Sequence, residues 1–439
     1  MFKVVSNSWA LFLGMALIML GNGLQGSLLG VRAAIEDFDV TTTGLIMSGY
    51  FAGLIVGSAV VPKIVGRVGH VRSFGALASL ASTSILVHVI FIDPWVWWAM
   101  RVATGFAYAG IYIVAESWLN DAADNKTRGQ LLSFYMLISL GGLAGGQFML
   151  NIASPEGFEL FVLISVLVSV AVIPILISVG VAPSFETSES VSFLQLYRVS
   201  PLGIIGILVC GVSMGAIFGM GAVYATTIGL TVSEVSFFMA SLIVGGIIVQ
   251  YPIGHISDAL GRRQVIIGTC LLGAIVSFAA AMTSVDDWRL YALIALIGGF
   301  SFPLYSLCVA HTNDYLSPKQ MVAASGTLVL ANGIGATLGA PITALAMDRF
   351  GPQAFYHTNG VALLLVCVYA LWRATRREAV STEDAGDFVI MTPTPMSAVM
   401  NPDLELNEIE AAYSTDIEEV QAEFEELASE LSSSDETSV

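Results

Sequence analysis

The stretch VVSNSWALFLGMALIMLGNGLQGSLLGV, residues 4–31, carries no charged side chain. A helix of about 20 apolar residues crosses the hydrocarbon core of a bilayer, and this run is longer than that. Ten more stretches of at least 20 residues lack Asp, Glu, Lys and Arg: 40–62, 73–92, 129–155, 160–185, 199–233, 235–257, 264–285, 290–313, 320–347 and 350–372. A twelfth, 94–120, is interrupted only by Arg101 and Glu116. The spacing predicts twelve transmembrane helices and an all-α membrane protein. A barrel would alternate apolar and polar residues over strands of about ten residues, a pattern not seen here. The whole chain agrees: 56% of residues are hydrophobic, 12% are charged and the mean hydropathy is +0.80. The run after Lys3 is too long for the core of a signal peptide, so it reads as a retained first helix.

Twelve spans place both termini on one side. Thirteen of the 17 Lys and Arg residues fall in loops of that side, which predicts cytoplasmic termini and, for a bacterial cell, the inner membrane. The net charge of −17 comes entirely from residues 378–439, which hold 17 acidic residues and no Lys or Arg. The four cysteines lie within spans and the histidines are scattered, so neither a disulfide nor a metal site is expected. Nothing in the pattern points to a cofactor or to nucleic acid. No glycine-rich loop with Lys-Ser/Thr is present, which argues against an ATP-driven pump.

The spans divide into two sets of six, residues 1–181 and 201–377, joined by a polar linker at 182–200. The sets are related at an offset of about 193 residues, with Asn120-Asp121 matching Asn313-Asp314 and Gly142 and Gly146 matching Gly335 and Gly339. Paired six-helix halves are a transporter architecture with a site between them. The loop GHISDALGRR, 254–263, places Asp258, Arg262 and Arg263 beside two helix ends. Such arginines meet carboxylates and helix C-termini, or simply follow the basic bias of the cytoplasmic face. The first-half counterpart, PKIVGRVGHVRS, keeps Arg67 but has Gly66 in place of the acid.

These motifs resemble the major facilitator superfamily. GHISDALGRR looks like the family's loop signature, and RVATG (Arg101, Gly105) looks like its fourth-helix motif. YFAGLIVG (50–57), RVATGFAYAGIYIVAES (101–117) and RGQLLSFYMLISLGGLAGGQ (128–147) are similar to the YcaD-like bacterial branch. Two departures stand out: the missing acid at Gly66, and GGLAGG in helix 5 without the proline of the antiporter motif. The resemblance implies two pseudo-symmetric six-helix bundles and a cavity lined by helices 1, 4, 7 and 10. It also implies that Arg101 serves proton coupling or substrate contact.

Asn22, Gln25 and Arg32 recur at +3 and +7 on one face of helix 1. Asn22 and Gln25 either bond to neighbouring helices or face the cavity, and Arg32 reads equally as an interfacial snorkelling residue. A charge inside a span is by default functional, and Arg101 is one. Glu116 lies about 22 Å further along the same helix, so the two cannot pair. It reads as an ion-pair or gating residue near Arg67, Arg72 and Arg128, or as a proton carrier. Tyr108, Tyr112, Tyr135, Tyr224 and Tyr305 are further cavity candidates, and Gln250-Tyr251-Pro252 marks a bend in helix 8.

The tail reads as an extended linker through MTPTPMSAVMNP (391–402), then as an amphipathic helix over about 404–431. Leu406, Ile409, Tyr413, Ile417, Val420, Phe424, Leu427 and Leu431 form its apolar stripe. Its acidic polar face suits a protein partner better than anionic lipid. The leading expectation is a proton-coupled secondary transporter of a small polar solute, anionic in the reading that gives Arg101 a counter-charge. A membrane receptor or scaffold acting through the acidic tail is the competing one. An enzyme finds no nucleophile–base or metal constellation.

Overall fold

In the computed structural model, residues 8–122, 128–177, 190–284, 287–377, 386, 388–391, 393–394 and 417–437 are described. Among them, twelve spans are long and apolar enough to cross a membrane. The first six are α1 (Trp9–Ile35), α2 (Val40–Val68), α3 (His70–Ile90), α4 (Pro94–Ala122), α5 (Arg128–Met149) and α6 (Glu159–Ile177). A short linker helix α7 (Phe193–Val199) leads to α8 (Pro201–Thr227), α9 (Val232–Leu260) and α10 (Arg262–Ala281). The tenth span is split into α11 (Arg289–Ser301) and α12 (Pro303–Asn313). Then come α13 (Pro318–Phe350), α14 (Ala354–Ala374) and, in the tail, α15 (Ile417–Thr437).

The halves repeat the same packing. α1 packs on α5 and α6, α2 on α4, and α3 on α6; in the second half α8 packs on α13 and α14, α9 on α11, and α10 on α14. Small residues permit the close approaches. A Cβ on Gly105 would run into the Tyr50 carbonyl, so α4 can lie against α2 only with glycine there. The short loops also repeat. Gly69 (φ 86°) ends α2 and starts α3, while Gly261 (φ 89°) does the same between α9 and α10. Glycine adopts that left-handed backbone without penalty, so one residue turns the chain from span to span. The glycine of GHISDALGRR has this mechanical role.

The bundles meet at the end where α1 gives way to α2, here the far end. A Cβ on Gly30 of α1 would sit 3.1 Å from Ala222 of α8, and Gly44 of α2 abuts Ala344 of α13. Asn151 donates to Ser236 across the same end at 2.9 Å. At the other, near end lie α7 and the loop signature.

Three sequence expectations bear on this fold. α9 runs through Pro252 as one helix, while the tenth span divides at Phe302-Pro303. Proline there lacks the N–H that would continue the ladder. Arg32 does not snorkel. It is buried, pairs with Glu36 at 2.5 Å, and donates to the carbonyls of Pro155 (2.9 Å) and Glu156 in the loop after α5. The described tail helix covers Ile417–Thr437; Leu406, Ile409 and Tyr413 lie outside the described residues.

Candidate functional site

Between the bundles lies a cavity of about 280 Å³. Its first-half wall includes Asn22 of α1, Tyr50 of α2, Arg101, Tyr112 and Glu116 of α4, and Tyr135 and Gln147 of α5. The second half contributes Gln250, Phe302, Tyr305 and Asn332. Between these polar groups the lining is apolar and aromatic, with Phe51, Leu54, Leu140, Phe218 and Met239 among it.

Asn22 is explained by its neighbours. Its amide donates to the hydroxyls of Tyr50 (3.3 Å) and Tyr112 (3.1 Å), joining three helices at the cavity wall. One residue therefore satisfies both sequence readings, contact with neighbouring helices and exposure to the cavity.

Arg101 lies beside this group in the cavity wall, 4% exposed. Its guanidinium carbon lies 4.7 Å from the centre of the Tyr50 ring, a cation–π contact. Among the described residues it has no hydrogen bond and no acidic partner, and its Nε is buried without an acceptor. The ring offsets only part of the cost of holding a cation away from water. The cavity thus contains a desolvated positive charge short of acceptors.

Glu116 marks the cavity's other end. Its carboxylate is fully buried and accepts from the Tyr135 hydroxyl at 3.2 Å and from Thr394 of the tail. Arg67 stands exposed at the end of α2, and Arg128 is buried at the start of α5.

Three candidates do not line the cavity. Gln25 is 1% exposed and its Nε2 finds no acceptor among the described residues. Tyr108 is buried behind Tyr50 and Tyr112, with ring centres 6.0 and 6.1 Å away. Tyr224 belongs to an aromatic cluster: it stacks on Phe355 at 4.8 Å and donates to Gln353 at 3.1 Å. Gln147, absent from the sequence candidates, lines the cavity, accepts from Ser27 and donates to the Gly23 carbonyl at 2.9 Å. The signal was available: an amide within an apolar span. Tyr50 gave none, since one tyrosine in a span is unremarkable until its partners are known.

At the near end, Asp314 is buried against Arg262, with Nε–Oδ distances of 3.0 and 2.9 Å. Arg262 also reaches Asp258 at 3.5 Å. Burial raises the Asp314 carboxyl above the ordinary aspartate value, and the Arg262 charge opposes that rise. Arg263 donates to the Arg377 carbonyl at 2.5 Å. The loop signature is therefore a clamp holding α9, α10 and the end of α12.

The chain matches the model of the Major Facilitator Superfamily over residues 11–228 and 202–402. It is 27% identical over 348 residues to the uncharacterized MFS-type transporter YcaD of Escherichia fergusonii, covering 78% of this chain and 89% of that one. It is 27% identical over 360 residues to the uncharacterized MFS-type transporter YE1530 of Yersinia enterocolitica, covering 81% and 92%. Among solved structures it resembles the nucleoside transporter NupG, with TM-score 0.70 and 13% identity over 86% of this chain and 100% of that chain. A bacterial homolog of the human lysosomal transporter Spinster, solved inward-facing and occupied, aligns with TM-score 0.69 and 16% identity, covering 86% and 97%. At these identities the structural likeness concerns the fold.

Proposed function

The chain belongs to the major facilitator superfamily and is a multi-pass membrane transporter, and from that premise we propose that it carries a small solute with an apolar body and an anionic end. The observation behind this is Arg101, a buried cation lining the cavity with an aromatic ring as its described neighbour. A carboxylate or similar anion would supply the missing acceptors, and the guanidinium fork suits one. The apolar walls would take the rest of the solute. Asn22, held by Tyr50 and Tyr112, would orient it.

The mechanism is alternating access about the cavity. The far end is the packed one, so the present arrangement corresponds to access from the near end. With both termini cytoplasmic in the bacterial inner membrane, this is the inward-facing state. Glu116, buried and held by hydroxyl donors, is the coupling carboxylate: it takes a proton in one state and releases it in the other.

Uptake into proteoliposomes tests the reading. Organic anions are supplied outside with and without an imposed proton gradient. The gradient should accelerate uptake in the parent protein and not in Glu116→Gln. Gradient-driven uptake that survives the substitution would remove Glu116 from the coupling step.

A further inference from the structure

The tail segment that follows the last span does not lie away from the bundles. Residues Gly386, Phe388, Val389, Ile390, Met391, Pro393 and Thr394 run into the near end of the gap, and three of them line the cavity: Met391, Pro393 and Thr394. Thr394 donates to Glu116 of α4. The Met391 N–H donates to the Ser306 hydroxyl of α12 at 3.0 Å. The Phe388 N–H donates to Asp258 of α9 at 3.0 Å, and Arg262 donates to the Gly386 carbonyl. The Phe388 ring covers Gly254, where any Cβ would collide with it. Met391 and Thr394 are 6% and 7% exposed.

We infer that the near mouth of the cavity is a binding site for an extended peptide segment, filled here by this chain's own tail, and that the filled state blocks transport. This rests on the transport reading of the cavity. Two physical arguments carry it. First, the segment makes main-chain and side-chain bonds to both halves at once: Glu116 belongs to the first bundle, while Ser306, Asp258 and Arg262 belong to the second. Alternating access requires the near end to close as the far end opens, and a strap wedged between the bundles opposes that closure. Second, the strap hydrogen-bonds the same carboxylate that lines the cavity, so it competes directly for Glu116.

The sequence accounts for the insertion. Phe388 to Met391 is a short apolar run in a tail otherwise dominated by acid, and Pro393, which cannot continue a helix, follows it. A second anchor holds the strap nearby. α15 packs on the linker helix α7, with Val420 and Phe424 buried and Leu427 and Leu431 against the same cluster. With α15 docked on α7 at the near end and the last span preceding it, the strap stays at a high effective concentration at its site. Signals that add charge to the strap, or that draw α15 away, would open the mouth.

The test needs no transported solute, so its outcome is independent of the transport reading. Ser139, a buried residue of the cavity wall, is replaced by Cys as a reporter, and its alkylation by a charged maleimide is timed on purified full-length protein. The parent protein, with its four buried native cysteines, supplies the background. The strap is then loosened by Phe388→Asp with Thr394→Glu, which leave the twelve spans unchanged. Alkylation should accelerate about ten-fold or more. In parallel, Ser306→Cys with Met391→Cys should form a disulfide under mild oxidation, read by mass spectrometry of the linked peptides. An unchanged alkylation rate overturns the block, and absence of the linked peptide overturns the placement.

Discussion

Replacing Arg101 by Gln separates a binding role from a structural one, because the two predict opposite results. The guanidinium is 4% exposed, faces the Tyr50 ring at 4.7 Å and has no described hydrogen bond. In the empty protein its removal forfeits a cation–π contact of about 1–2 kcal/mol. It also relieves the desolvation of an uncompensated cation, a cost of several kcal/mol. The thermal midpoint of the empty protein should therefore hold or rise. With an anionic solute bound the sign reverses. Losing one partner of a buried charged pair costs roughly 2–5 kcal/mol; at the lower end, about 2–3 kcal/mol, this is a 30- to 150-fold weaker Kd. A ligand present at about 100 times its Kd stabilises a protein by roughly 2.7 kcal/mol, and after such a loss by less than about 1 kcal/mol. The assay is differential scanning fluorimetry of parent and Arg101→Gln protein against small monocarboxylates with apolar bodies. Arg101→Lys belongs beside it and should fall between, since it keeps the charge and loses the planar fork. Equal ligand-induced shifts in parent and Arg101→Gln, together with a lower midpoint for the empty variant, would refute the reasoning and make Arg101 a packing residue.

Arg262→Ala should destabilise the protein by about 3–5 kcal/mol, because it leaves the buried Asp314 carboxylate without its cation. Burial already raises the Asp314 carboxyl, and losing Arg262 raises it further; a carboxyl raised in the fold favours the folded state least when ionised, so the defect should be larger at pH 8 than at pH 5 by thermal midpoint. Asp258→Asn keeps the Arg262–Asp314 pair and should slow exchange between the two access states while changing solute affinity by no more than a few-fold, read by single-turnover against equilibrium binding. Asn22→Ala removes the amide that ties Tyr50 to Tyr112 and should weaken solute binding about ten-fold, in keeping with a loss of roughly 1–2 kcal/mol. A reporter fused after Val439 should score cytoplasmic; a periplasmic score would invert the inward-facing assignment.

Different parts of the molecule were legible in the sequence to different degrees, for physical reasons. The twelve spans follow from a constraint that acts on single residues, since hydrocarbon excludes charge wherever it occurs. The loop signature was legible in part: Gly261 turns the chain in one residue, whereas the carboxylate that Arg262 meets, Asp314, is named only by the structure. Contacts between helices are another matter. Nothing local says that Asn22 meets residues 50 and 112, or that Gln25 packs where Asn22 faces the cavity one turn away. Nor does the sequence say that Tyr224, on a helix expected to line the cavity, stacks on Phe355. Pro252 and Pro303 look alike in sequence; only the neighbours decide which one interrupts a span. The strap escaped for a different reason. MTPTP reads as an extended linker, and the sequence does not say that Met391, Pro393 and Thr394 find partners among the polar groups of a half-open cavity.

In the proposed transport cycle, the distance between Arg101 and Glu116 constrains how solute and proton would be coupled. Both lie on α4, fifteen residues apart, and so about 22 Å along the axis. At an effective dielectric of about 20, two unit charges at that separation interact by roughly 0.8 kcal/mol. That changes the protonation equilibrium of Glu116 only about four-fold, since ten-fold takes about 1.4 kcal/mol. An anion arriving at Arg101 cannot load or unload the proton by its field alone. Strict coupling needs a larger bias, and the available source is the change of access itself. When the near end closes, the hydroxyls around Glu116 must rearrange, whereas Arg101 lies beyond that mouth. The anion would bias the bundles, and the bundles would bias the carboxylate. The strap acts on the second of these steps. By holding Glu116 through Thr394 and keeping the near end apart, it would arrest coupling while leaving the Arg101 site able to bind.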